Sequence, residues 1–151
     1  MIFAEPDSLP AFACHVVLRP KRLGPWFNFL FGLAELVRNP AHFYLMCQDD
    51  IELTAGLRSW LEPQLPGLDG IVSLYAQGKN AAPSRGWHRL ENPRAGYGAL
   101  AYIFPAAIAK QLVSQPPPSV QPAPDAAQVD LKVVRWCFDR GFPVWLHTPS
   151  L

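Results

Sequence analysis

An acidic cluster that follows an apolar run is the part of this sequence best suited to chemistry. The segment FYLMCQDDIEL, residues 43–53, passes from the apolar run into Gln48, Asp49, Asp50 and Glu52. Carboxylate oxygens are hard ligands that suit Mg²⁺ or Mn²⁺, and such ions take their remaining ligands from water and phosphate. A cation held here would bind a diphosphate and stabilise the charge that develops as it leaves.

The same carboxylates have a structural explanation. Asp50 and Glu52 come just before a predicted helix, where negative charge favours the positive end of the helix dipole. Spacing alone supports this role as well as it supports metal binding. Two adjacent acids that end a buried strand repel each other, however, and call for a counter-ion. We therefore predict that Asp49 and Asp50 bind a divalent cation.

The elements that must position this cluster alternate between strand-like and helix-like patterns. Short apolar runs predict strands over residues 2–4, 14–18, 43–47, 71–75, 99–104 and 144–146. Apolar spacing of three and four predicts helices over 26–37, 54–61 (with Thr54 as N-cap), 105–112 and 129–137. This alternation predicts a three-layer α/β/α sandwich with a mostly parallel sheet. Ligands of such sheets bind beyond the carboxyl ends of the strands, which is where the acidic cluster stands.

Length and composition indicate a single globular domain over residues 1–151. Half of the residues are hydrophobic and 17% are charged, which excludes an intrinsically disordered chain. The net charge of +1 and the absence of a basic stripe argue against a nucleic-acid partner. No apolar run approaches the roughly 20 residues of a transmembrane segment, and the first residues lack a signal-peptide pattern. The cysteines lack metal-ligand spacing and are predicted to be buried, reduced thiols, so we expect a cytoplasmic protein.

Two polar stretches interrupt the predicted elements. Residues 76–96 form a long connection, and residues 115–124 form a proline-rich, exposed loop. Trp87 lies in the first stretch beside a glycine, where a tryptophan either stacks on a sugar ring or folds back onto the core. Tyr97 has the same two interpretations. Arg22 and Asn28 flank a predicted helix start, where they would either contact a nucleotide phosphate or remain solvated.

Taken in order, these pieces resemble the GT-A glycosyltransferase superfamily over about residues 43–151. Gln48-Asp49-Asp50 is similar to the short acidic motif that ends a strand in those enzymes, and GIVSLY (70–75) resembles the strand that follows it. GYGALAYIFPAAIAKQLV (96–113) resembles the segment in which a glycine-rich turn precedes a strand and helix near the two sugars. HTPSL (147–151) resembles the strand end before a Pro-Ser-Leu turn in bacterial lipooligosaccharide glycosyltransferases and some N-acetylglucosaminyltransferases.

The resemblance implies transfer of a hexosyl group from a nucleoside diphosphate sugar, with a UDP-sugar first among donors. The acceptor would be a hydroxyl group of a glycan or of a lipid-linked acceptor. Asp50 would hold Mn²⁺ or Mg²⁺, Asp49 would meet the metal and the ribose or donor sugar, and His147 is a further metal-ligand candidate. The remaining implied contacts are donor binding by Arg22, Asn28, Gly96 and Gly98, and acceptor binding by Trp87 and Tyr97.

The resemblance also implies a carboxylate that deprotonates the acceptor hydroxyl group. Asp130 is the first candidate and Asp125 the second, although Asp130 is explained equally well as an acid in the first turn of a helix. For His147 the alternative is a partly buried imidazole at a strand end.

Strands at residues 2–4 and 144–146 lack the flanking elements that bury strands in compact domains. We therefore expect that further strands of the sheet belong to sequence before residue 1 and after residue 151. This expectation gives the rival hypothesis of a non-catalytic remnant that binds a glycan or a partner. A nucleotidyltransferase on a similar scaffold would need a phosphate loop rich in glycine and lysine, which the sequence lacks.

Overall fold

A computed structural model describes residues 2–4, 16–18, 24–48, 51, 54–75, 84–95, 101–115 and 129–151. The strands are β1 (Ile2–Ala4), β2 (Val16–Leu18), β3 (Phe43–Cys47), β4 (Ile71–Ser73), β5 (Gly86–Arg89), β6 (Ala101–Pro105) and β7 (Val144–Thr148). The α-helices are α1 (Pro25–Leu36), α2 (Leu57–Leu61), α3 (Ala106–Ser114) and α4 (Val129–Asp139). Short 3₁₀ turns lie at Leu65–Gly67 and Pro93–Ala95.

The main sheet has five strands in the order β3-β6-β4-β7-β5. Only β4 and β7 pair in parallel in this sheet, whereas β6 runs antiparallel to both β3 and β4, and β5 runs antiparallel to β7. A separate parallel pair joins β1 and β2. The α/β class is confirmed, but the sheet is mixed, so the prediction of a mostly parallel sheet is wrong. Apolar periodicity identifies a strand without giving its direction, which is set by long-range pairing.

The two faces of the main sheet carry alternate side chains of each strand. On one face Tyr44, Tyr102, Phe104 and Val144 join a core formed with α1, α3 and α4. On the other face Val72 and Ile103 pack with apolar residues of α2 and of the Leu65–Gly67 turn. Helical elements therefore cover both faces, with the longer helices on the first.

Local sequence explains where two of the helices begin. Helix α1 starts at Pro25, whose fixed φ suits a first turn, directly after Gly24 with φ 77°. The N-cap residue of helix α2 is Gly56, which has φ 82°, and no side chain caps this helix. The predicted N-cap role of Thr54 is therefore wrong, because Thr54 contributes its backbone carbonyl oxygen, which accepts from Leu57 N at 3.0 Å.

Two expectations from composition have different outcomes. Cys137 is buried as predicted, but Cys47 is exposed because it lies on β3, at the edge of the sheet. Cys14 lies outside the described residues. Within the ranges given above, no helix is both long enough and apolar enough to cross a membrane.

Candidate functional site

The loops that carry the predicted site residues attach to one edge of the main sheet. Strands β3, β4 and β7 point in the same direction, because β6 is antiparallel to both β3 and β4 while β7 is parallel to β4. The carboxyl ends of these three strands therefore lie at the same end of the sheet, where the antiparallel strands β5 and β6 begin. We call this end of the strands the loop edge, and it is marked by Gln48, Ser73, Gly86, Ala101 and Thr148. From β3 to β7 it spans three strand spacings, or about 14 Å.

The acidic motif adjoins the loop edge at the end of β3. Gln48 is exposed and follows the last residue of that strand directly. Asp49, Asp50 and Glu52 lie outside the described residues. In the part of the chain that is described, no group of three or more histidine, cysteine, aspartate or glutamate side chains comes together. The described residues do not assemble a metal site by themselves, so the prediction depends on Asp49 and Asp50.

Five further predicted site residues fall in segments that the structure does not describe, namely Arg22, Gly96, Tyr97, Gly98 and Asp125. Two segments that the structure does not describe, one of which contains Gly96, Tyr97 and Gly98, can nevertheless be related to the sheet by chain order. Residues 96–100 lead directly into Ala101, at the loop edge, and residues 76–83 lie between β4 and β5, which respectively end and begin there.

The first turns of α1 and α4 are directed towards the same edge. Each helix is followed by a short turn and then by a strand, α1 by β3 and α4 by β7. Each helix therefore runs antiparallel to the strand that follows it, and its first turn lies towards the carboxyl end of that strand. Lys132 Nζ of α4 lies 5.3 Å from the ring centroid of the buried Trp26 of α1, which joins the two helix starts. Asn28 is half-buried in the first turn of α1, and its backbone N–H donates to Gly24 O at 3.0 Å. The predicted donor-binding position of Asn28 is thus on the loop-edge side of α1.

Asp130 lies in the first turn of α4 and is half-buried. Its Oδ1 accepts a hydrogen bond from Leu131 N at 2.9 Å. Burial raises the pKa of the Tyr102 hydroxyl group, and the negative charge of Asp130 raises it further. Tyr102 is the second residue of β6. Asp130 is therefore observed as an acid in the first turn of a helix, and its role as the base stays a prediction.

Trp60, Trp87 and His147 form an aromatic cluster on the face of the sheet that α2 covers. The two indole rings stack with centroids 6.2 Å apart and planes 27° apart. The imidazole packs edge-on against both, with its centroid 5.3 Å from that of Trp60 and 4.8 Å from that of Trp87. Trp87 and His147 are cross-strand partners in the β5–β7 register, one residue away from Gly86 and Thr148. The cluster therefore lies beside the loop edge.

The hydrogen bond of His147 fixes its tautomer. Nδ1 lies 2.8 Å from the carbonyl oxygen of Pro149, which can only accept, so Nδ1 carries the proton. In a neutral ring this leaves Nε2 with the lone pair, the arrangement that metal-binding histidines use. Because β7 is three strands from β3, a shared ion would have to lie between the two strand ends. The ligand role of His147 remains a prediction, while its packing against both indoles is observed.

Trp60 is the residue that sequence reasoning missed. Its helical spacing with Leu57 and Leu61 suggested an inward-facing position, yet the side chain is 44% exposed. Strand β5 was also missed, because its residues lie inside a long polar connection. The only available signal was the alternation in Gly86-Trp87-His88-Arg89, where Trp87 points to one face of the sheet and His88 to the other.

An apolar groove of about 1130 Å³ lies away from the loop edge. It runs beside α2, and its lining includes His42, Phe43 and Pro105, at the start of β3 and the end of β6. Those residues lie at the opposite edge of the sheet from Gln48. The groove is therefore separate from the candidate site at the loop edge, and its size does not indicate a function.

No family model matches this chain, and no curated protein matches it as a relative. The function must therefore be inferred from the chemistry of the loop edge and of the residues beside it.

Proposed function

We propose that this protein is a metal-dependent glycosyltransferase domain of the cytoplasm. It would move a sugar from a nucleoside diphosphate sugar, first of all a UDP-sugar, to a hydroxyl group of a glycan or of a lipid-linked acceptor. The observation that supports this most directly is the common attachment of the acidic motif, the glycine-containing segment 96–100 and the end of β7 to the loop edge. Ligands of open α/β sheets bind outside the carboxyl ends of strands.

In this proposal the donor binds at the β3 end of the loop edge. Asp49 and Asp50 would hold Mn²⁺ or Mg²⁺, and the bound ion would neutralise the negative charge of the departing diphosphate. The first turn of α1, with Asn28, faces the same edge, and a helix N-terminus favours anionic phosphate groups. Gly96 and Gly98 would allow the backbone to approach the donor closely.

An unpaired hydroxyl group supports ligand binding at the β7 end. Thr148 Oγ1 is buried and has no hydrogen-bond partner among the described residues. An unsatisfied buried hydroxyl group costs about 1–3 kcal/mol. A polar group of a bound sugar would remove that cost, so the end of β7 suits a sugar better than an apolar ligand.

The transfer step needs a base for the acceptor. The acceptor oxygen forms a bond to the anomeric carbon while the bond from that carbon to the diphosphate oxygen breaks, and the hydroxyl proton passes to a carboxylate. Asp130 is our first candidate for that carboxylate because it lies in the first turn of α4, which is directed towards the loop edge. Asp125 is the second candidate.

Calorimetry with UDP, in the presence and absence of Mn²⁺, tests the proposal. We expect saturable binding that requires the metal and that Asp50→Asn abolishes, because the amide removes the negative charge without changing the shape of the side chain. Glu91→Gln is the matched control, since it neutralises an exposed acid on the far side of β5 from Gly86. UDP binding that is the same in EDTA as in Mn²⁺, or that survives Asp50→Asn, would refute the metal-dependent mechanism.

The exposed aromatic cluster favours a second candidate, a non-catalytic domain that binds glycans. Such a domain would bind saccharides without binding UDP and Mn²⁺. It would also release no UDP when given a UDP-sugar together with an acceptor. Measuring UDP release alongside the calorimetry therefore separates the two candidates.

A further inference from the structure

Trp60 exposes an aromatic surface that folding leaves uncovered. Its side chain is 44% exposed, although the two rings that it contacts, Trp87 and His147, are half-buried. Helix α2, which carries it, is a short element of five residues. Exposed tryptophans are common at binding surfaces, because indole contributes a large contact area at a small entropic cost.

Ring contacts and hydrogen bonds hold the cluster together, and two of the hydrogen bonds converge on one glutamine. Gln64 Nε2 donates to the carbonyl oxygen of Trp60 at 2.8 Å, and Gln64 Oε1 accepts from Trp87 Nε1 at 2.8 Å. The third ring, His147, is fixed by its bond to the Pro149 carbonyl oxygen. The indoles are thus oriented before any ligand arrives, which lowers the ordering cost of binding.

The surroundings of Trp60 favour a neutral, hydroxyl-bearing ligand. An aromatic face carries negative quadrupole charge and attracts weakly positive hydrogens, such as the C–H groups on one side of a pyranose ring. Gln64 is an uncharged amide that can hydrogen-bond hydroxyl groups, and a ring nitrogen of His147 can do the same. Arg58, on the same helix, pairs with Glu62 at 2.7 Å, so its charge is balanced by a neighbouring carboxylate.

We infer that Trp60, with Trp87 beside it, stacks against a pyranose ring of the acceptor, and that Gln64 is the positioning residue that orients the Trp87 indole on which Trp60 stacks. This inference rests on the proposed function, because it assigns the acceptor side of the same loop edge. The inferred acceptor site is separate from the proposed donor site. Trp87 and His147 lie on β5 and β7, on the opposite side of the sheet from β3, where the donor is proposed to bind.

The test uses the full chain, labelled with ¹⁵N, without nucleotide or metal. The probes are the methyl pyranosides of glucose, galactose, mannose and N-acetylglucosamine, with uridine as a comparison. We expect the indole N–H signal of Trp60 to shift saturably with at least one pyranoside. Trp60→Ala should weaken that binding about tenfold or more, while Trp60→Tyr should retain part of it, because a ring remains to stack on.

Phe27→Ala is the matched control, since it removes an aromatic side chain of similar exposure, 41%, from helix α1. It should leave saccharide binding unchanged. Gln64→Met keeps the length of the side chain and removes its polar atoms, so it should weaken saccharide binding and broaden the Trp87 indole signal. A purely structural role for Gln64 would change stability but not affinity in the folded protein.

Three results would overturn the inference. These are no saturable shift with any pyranoside, equal pyranoside affinity in Trp60→Ala and the wild type, and a stronger response of the cluster to uridine, which would assign it to the donor base. Metal-dependent UDP binding is measured on the same samples. If UDP binds and the pyranosides do not, the inference fails while the proposed function stands, and the reverse pattern supports the saccharide site and refutes the transferase.

Discussion

Substitution of Gly70 by alanine should disrupt the pairing of β4 with β7, which is the parallel pair of the main sheet. Gly70 immediately precedes β4, and the N–H of Ile71 donates to Pro143 O at 3.0 Å, just before β7. A Cβ atom at position 70 would lie 2.6 Å from the carbonyl carbon of Pro143, closer still to its oxygen, and 2.9 Å from its Cβ. The carbonyl is backbone and cannot move aside as a flexible side chain would. Relief therefore requires that β4 and β7 separate at their starts.

The expected loss of stability follows from this geometry. Overpacking of a close contact costs about 1–3 kcal/mol. Displacement of the strand start also weakens the Ile71 hydrogen bond, which is worth about 1 kcal/mol. We therefore expect Gly70→Ala to lower the free energy of unfolding by about 3 kcal/mol, towards the upper end of that range. For a domain of this size, this corresponds to a fall in Tm of about 6–12 °C.

Gly67→Ala is the control for this experiment. A Cβ at position 67 meets nothing within 4 Å, and Gly67 does not have a positive φ. Alanine there reduces the entropy of the unfolded chain, so Tm should stay the same or rise slightly. Thermal unfolding followed by circular dichroism measures both variants. Equal Tm values for Gly70→Ala and Gly67→Ala would show that the close approach of Gly70 to Pro143 does not hold β4 against β7.

The remaining predictions concern three other side chains. Asp130→Asn should lower kcat for sugar transfer by about 10²–10⁴-fold at unchanged UDP affinity, and an unchanged kcat would remove it as the base. Burial raises the pKa of the Cys137 thiol to about 12. Because the unfolded thiol ionises near pH 8.5, the stability due to the neutral thiol is complete below about pH 8.5 and is lost towards pH 12. Urea unfolding should therefore show a flatter pH dependence for Cys137→Ala between about pH 8.5 and 10. His147→Phe keeps a ring against the two indoles but removes Nε2, so Mn²⁺-dependent UDP affinity should fall about tenfold or more, whereas a change within about twofold would remove His147 from the metal ligands.

Much of the fold could be predicted from the sequence because its elements are short and sharply bounded. The strand predicted over residues 43–47 has the same bounds in the structure, and the helix predicted over 26–37 is α1, Pro25–Leu36. Pro40 and Gly24-Pro25 supply these boundaries locally. Strand β5 was not predicted because four residues in a polar stretch give too little alternation to distinguish a strand from a loop.

Exposure was less predictable than secondary structure because it depends on neighbours that are distant in sequence. Cys47 looked like a core residue of an apolar strand, yet β3 is at the edge of the main sheet, so Cys47 is exposed. Trp60 looked like a core residue of an apolar helix, yet α2 makes little more than one turn and cannot turn every apolar side chain inward. The candidate site shows the same limit. The sequence indicates which segments contain candidate binding or catalytic residues, but it does not indicate which of these segments lie close together in the folded protein.

The strand directions that were predicted wrongly are the ones that bring the candidate site together. Had β6 run parallel to β3, residues 96–100 would enter the sheet at the edge opposite Asp49 and Asp50, and Gly96 and Gly98 could not share a ligand with them. Because β6 is antiparallel, Ala101 pairs with Cys47, and the segment before it begins beside the end of β3. The antiparallel strand β5 likewise sets Trp87 opposite His147. A mixed sheet therefore attaches more of the segments that contain predicted donor and acceptor residues to one end of its strands than a parallel sheet would.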